Sequence, residues 1–165
     1  MPVFSSKEMI VEPSKNNALG MLASSGVWLA TAMHLVKTSN DKLHPGMDFA
    51  PVIHFLLLHG LELILKGFLC SRGISEKSLK RDFGHNIIKL LDKAEKLHLT
   101  KLCPTNQEAR QRISLIAPNY ADKNLQYFMG DCLFKWPLPS ELLQDVSHLQ
   151  RAVEREFRSH LREAP

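Results

Sequence analysis

The run His54-Phe55-Leu56-Leu57-Leu58-His59-Gly60-Leu61-Glu62-Leu63-Ile64-Leu65-Lys66-Gly67 decides the fold. It is apolar around almost its whole circumference, the pattern of a helix buried inside a core rather than laid on a surface. At roughly 100° per residue, His59, Glu62 and Lys66 share one stripe of that helix, and Glu62 stands one turn before Lys66 in the favourable order for an ion pair. Two readings of the stripe are open. One is a salt bridge at a helix edge with Lys66 reaching water. The other is a partly buried Glu62 that ties this helix to another element, where loss of one partner costs about 3 to 5 kcal/mol.

Outward from this run, turn chemistry marks the helix ends. Asp48 can cap the helix and Pro51 is tolerated in its first turn; Gly73 terminates it after position 70 or 72. The polar stretch 38–46 is a loop, and a first helix is expected over 16–37. In that helix Leu22, Gly26, Leu29, Met33 and Val36 form one row, and Met21, Ser25, Trp28, Ala32 and Leu35 a second, so burial on two sides is expected. Residues 18–36 hold no charge for 19 residues, long enough to raise a membrane span. Ser24, Ser25, Thr31 and His34 inside the run, and Glu8 and Glu12 before it, favour a bundle core instead, with no membrane partner.

Downstream, Ser75 opens a short turn and Asp82 is expected to cap a third helix facing the core with Ile87, Ile88, Leu90, Leu91 and Ala94. The capping box Thr105-Asn106-Gln107-Glu108 starts a fourth helix that Pro118 is expected to stop after Ile116. Ser140 caps a last helix with the apolar stripe Leu142, Val146, Leu149, Val153 and Phe157. Between them, 119–139 is rich in aromatics. A small β-hairpin can form there, with 125–128 and 132–136 flanking Met129-Gly130-Asp131, and two readings of the long segment stay open, a functional loop or a cap on the bundle's open end. The expectation is an all-α, four- to five-helix up-and-down antiparallel bundle in a single domain over 1–165, with 1–13 as a loose lead-in.

Composition narrows the chemistry. A net charge of +4 tolerates an anionic partner without the density of a nucleic-acid-binding tail. Cys70, Cys103 and Cys132 are odd in number and lack a C-x-x-C spacing, against a disulfide framework or structural zinc, and a reducing cytoplasm fits. His59 and Glu62 form an i, i+3 pair, but no second such pair occurs and His54 lies roughly 140° from His59, so no metal and no cofactor is expected. The cluster Asp82-Phe83-Gly84-His85-Asn86 sits at an expected helix start, where free backbone N–H groups can hold an anion.

These residues carry a resemblance. Glu62-Leu63-Ile64-Leu65-Lys66-Gly67 before Leu69, Gly73, and Phe83-Gly84-His85-Asn86-Ile87 before Leu90 and Leu91 are similar to the E-L-x-L-K-x-x-L and G-H-x-L/I pattern of HEPN-like domains. Tyr120, Leu125-Gln126-Tyr127 and Pro137 resemble a further stretch of bacterial members; the resemblance spans 47–139. It implies a helical bundle, often homodimeric, among RNases, toxin components and nucleotide-associated accessory domains.

Catalytic members carry R-x4-6-H, which Arg155 and His160 match in spacing, a match that chance supplies roughly once in such a chain. On a continuous helix His160 falls under Val153 on the core side while Arg155 points away. The expected function is therefore a non-catalytic, homodimeric interaction module with Glu62, Lys66, Gly84, His85 and Asn86 at a ligand site, associated with RNA, a nucleotide or a protein partner. The alternative is a metal-independent, toxin-like RNase using Arg155 and His160 across a dimer. Arg151, Arg155, Arg158 and Arg162 also form a basic stripe, which Glu154, Glu156 and Glu163 are expected to dilute into a solvated face.

Overall fold

A computed structural model describes residues 13–38, 49–103, 107–127 and 136–162, and every regular element among them is helical. The long helices are α1 (Pro13–Thr38), α2 (Ala50–Ser71), α4 (Ile87–Lys96), α6 (Gln107–Ala121) and α8 (Pro139–Arg162). Short ones are α3 (Glu76–Ser78), α5 (Leu99–Leu102) and α7 (Asn124–Tyr127), and a π-helical turn spans Leu79–Phe83.

α2 is the axis of the core, with α1, α4, α6, α7 and α8 all packed on it. Its Leu57, Leu58, Leu61, Ile64, Leu65, Phe68 and Leu69 are wholly buried, as all-round apolarity requires. α1 runs antiparallel to it at close range. A Cβ on Gly60 would lie 3.0 Å from Leu29 Cδ2, and one on Gly67 3.0 Å from Leu22 Cγ and 3.2 Å from the Ala18 carbonyl. Two glycines one heptad apart on α2 thus let the α1 backbone settle into contact. α8 closes the core with Leu142, Val146, Leu149, Val153 and Phe157, the stripe its periodicity predicts.

α1 departs from expectation. Ala18, Leu22, Ser25, Leu29 and Ala32 are buried and Met21, Trp28, Leu35 and Val36 are half-buried, a single inward face. The opposite face leaves Leu19, Ala23, Val27, Ala30 and Met33 exposed, Val27 at 68%. The two-sided burial read from its apolar rows is wrong, because a helix at the edge of the assembly has neighbours on one side only. α1 and α2 each have the length and hydropathy to cross a membrane, yet 72% of the α2 window is buried and only 22% of the α1 window.

Other boundaries differ for local reasons. α2 starts after Phe49 without a side-chain cap, and Asp48 lies outside the described residues. Asp82 does not cap the third long helix: it pairs with Arg81 inside the π-helical turn, and Asn86 caps α4 by accepting from Lys89 N–H at 3.0 Å. Gly84, at φ +54°, makes the kink between them, a backbone conformation that a side chain would strain. α6 continues through Pro118 to Ala121; a proline near a C-terminus on an exposed face loses one backbone bond and keeps its ring in solvent. Thr105 and Asn106 of the capping box lie outside the described residues.

The first strand of the suggested hairpin is instead the helical turn Asn124–Tyr127, and 128–135 lie outside the described residues. The chain resumes at Trp136, where buried His54 clamps it: its Nδ1 is 2.7 Å from the Ala50 carbonyl and its Nε2 2.9 Å from that of Pro137. Trp136 meets the His54 ring edge-on at 5.3 Å.

Candidate functional site

Glu62 lies mid-way along α2, 2% exposed, and a carboxylate there must be paired or neutralised. Three donors converge on it. Lys66 Nζ, one turn later, donates to Oε1 at 2.5 Å; Tyr120 Oη, from α6, donates to Oε2 at 2.5 Å. His85, just before the Asn86 cap of α4, reaches both oxygens with Nδ1 at 3.2 and 3.1 Å. One side chain therefore fastens α2 to α4 and α6 while its own turn of helix supplies the counter-charge.

The network continues beyond the carboxylate. His59 Nδ1 lies 2.8 Å from Tyr120 Oη. Since the tyrosine hydroxyl has given its one proton to Glu62, His59 must donate from Nδ1 and Tyr120 accept. The His59 ring is fixed by Trp28 of α1, edge-on at 4.6 Å, and by Phe55, stacked at 5.9 Å. Four polar groups from α2, α6 and the start of α4 thus form one chain running from Trp28 to His85.

Electrostatics follow from this wiring. Burial raises the Glu62 pKa, but the hydrogen bonds from Lys66, Tyr120 and His85 and the Lys66 charge outweigh it, leaving the carboxyl below its ordinary value and ionised at neutral pH. Burial, the Glu62 charge and their hydrogen bond push Tyr120 far up, so it stays a phenol. For His59 burial dominates over the attraction of Glu62, and the ring titrates below 6.5, neutral at pH 7. The Cys70 and Cys103 thiols are buried and raised by that burial, hence poor nucleophiles; Cys132 lies outside the described residues.

Of the ligand residues expected from sequence, Glu62, Lys66 and His85 come together and Gly84 and Asn86 shape their surroundings. Asn86 spends its side chain on the α4 cap, and its backbone N–H donates to the Phe83 carbonyl at 2.9 Å, so it has less to offer an anion than its position suggests. The His85 side chain is 61% exposed and borders a depression of about 370 Å³ that Lys66, Lys80, Gly84 and Glu76 also line. With Nδ1 occupied by Glu62, its Nε2 is the atom left for a ligand.

Tyr120 was not among the expected site residues. Its signal was its place at the start of the aromatic-rich 119–139 segment, in the stretch that carries the family resemblance. Arg155 is exposed on α8, its Nε donating to the Arg151 carbonyl, and the His160 side chain lies outside the described residues. Among the described residues no group of three or more His, Cys, Asp or Glu side chains is placed to hold a metal ion.

Compared with protein-family models, curated proteins and solved structures, the chain matches none.

Proposed function

We propose that the chain is a HEPN-like helical interaction module, a four- to five-helix bundle that pairs with a second copy through the outer face of α1 and carries no catalytic array. The observation that supports this reading is the exposed, charge-free surface of α1 over 18–36, with Leu19, Val27 and Met33 open to solvent. Nineteen residues at 1.5 Å each give a face about 28 Å long. A contact between two copies lets each supply the uncharged surface that the other needs, and Val27 sits at the centre of the run, where an isologous pair would cross.

In this reading the Glu62 junction is first a structural tie. It closes its own charges in pairs and leaves His85, with the edge of Lys66, facing water, which suits a small anionic ligand there better than a multi-residue catalytic centre. Sedimentation equilibrium tests the module: the wild type is expected at twice the 18.7 kDa chain mass, and Val27→Glu at the monomer mass. A wild type that stays monomeric to 0.1 mM sinks the proposal, as does metal-independent RNA cleavage lost in Arg155→Ala.

A further inference from the structure

The solvent edge of α8 is a seven-residue stripe at alternating steps of three and four: Glu141, Gln144, His148, Arg151, Arg155, Arg158 and Arg162, all exposed. Its C-terminal half is entirely arginine. The chain has eight arginines, and the other four each lie against carboxylates: Arg72 on Glu156, Arg81 on Asp82, Arg110 on Asp92 and Glu95, Arg112 on Asp145. The stripe differs. Arg158 lies 3.9 Å from Glu154, and among the described residues Arg151, Arg155 and Arg162 have no carboxylate within ion-pair range.

Of the acids that the sequence sets between these arginines, Glu154 and Glu156 each have a further partner, Glu154 staying within reach of Arg158, and Glu163 lies outside the described residues. Glu156 is held by Arg72 with its side chain only 17% exposed, and Glu154 accepts from Gln150 at 2.9 Å. Glu156 is drawn inward to Arg72, and Arg155, Arg158 and Arg162 stand outward around a depression of about 280 Å³.

From this arrangement we infer that the α8 stripe is a docking surface for the phosphate backbone of a nucleic-acid duplex. Four cations over 11 residue steps span about 16 Å of helix, a row that tracks successive phosphates. Arginine rather than lysine gives each position a planar fork for paired phosphate oxygens. The arginine half of the stripe, Arg151 to Arg162, holds no aromatic residue on which an unpaired base would stack, which favours a duplex over a single strand there. Stable seating on a lipid surface takes buried apolar area besides the cations, and the apolar face of α8 is already spent in the core. The surface is separate from the α1 face and from Glu62, so its failure and theirs are distinguishable.

The test is fluorescence anisotropy of the full chain with a labelled 20-base-pair RNA duplex from 50 to 300 mM KCl. Engagement of four phosphates predicts that log Kd rises with log salt with a slope of about 3.6. Arg155→Gln with Arg158→Gln should weaken binding at least tenfold at 100 mM KCl and lower the slope by about 1.8, with the melting temperature unchanged. Lys123→Gln, a cation elsewhere on the surface, should shift Kd less than twofold. No binding at 50 mM KCl overturns the inference, as does a double variant that binds like wild type. Tighter binding to an unpaired strand, to phosphatidylserine vesicles or to polyglutamate than to the duplex overturns it as well.

Discussion

α1 and α2 are two helices of similar length, both free of charge over long runs and both apolar enough to cross a membrane, yet they do opposite things with that apolarity. α2 is enclosed by its own chain and needs a buried carboxylate to hold its neighbours in register. α1 turns one face to α2 and the other to solvent. Hydropathy measures how much apolar surface a helix owns and says nothing about what covers it. The environment is decided by position in the assembly, and α2 is central because it carries contact surface on every side.

That contrast can be broken most violently at α2. Lys66→Met leaves the Glu62 carboxylate buried without its cation and should cost about 3 kcal/mol in urea unfolding, the lower end of the range for a broken buried pair because Lys66 keeps some contact with water. Adding Glu62→Leu should recover part of that loss, giving a coupling energy of the opposite sign in a double-mutant cycle. Tyr120→Phe removes one donor to Glu62 and strands the His59 N–H, for about 1 to 3 kcal/mol.

A smaller effect is expected from pH. His59 titrates lower in the fold than its ordinary 6.5, so the unfolded chain takes the proton first as pH falls. Its contribution to stability is therefore present above about pH 6.5 and lost below it. Glu62, depressed below 4.5, contributes stability above that value and loses it as pH falls further. Thermal melts should show two acid-side declines, and His59→Gln should remove the one nearer neutrality. The smallest change in fold stability belongs to α1: Val27→Glu should alter it by no more than about 0.5 kcal/mol in the monomer while abolishing association.

Much of this was legible in the residues, and unevenly so. The course of α2, its Gly73 terminator and the α8 stripe followed from periodicity and turn chemistry, which are local properties, whereas α8 begins at Pro139 and Ser140, expected to cap it, lies inside its first turn. The joining of Glu62 to His85 was foreshadowed by an ionisable residue with no room for an unpaired charge. Tyr120, 58 positions away, was not, because no local pattern announces which helix will arrive beside a buried acid. The same limit explains α1, whose outer face reads as core, and Glu156, which sits among the arginines in sequence but is paired with Arg72, 84 positions away, in space.

Hydrogen exchange followed by mass spectrometry at two protein concentrations, 1 µM and 100 µM, compares α1 and α2 within one molecule. If the outer face of α1 is covered by a second copy, amides in Pro13–Thr38 should exchange more slowly at the higher concentration, those of Ala50–Ser71 should not change, and Val27→Glu should erase the difference. Exchange in α1 that is independent of concentration would mean that its apolar face stands open to water, and the pairing of two copies through α1 would be wrong.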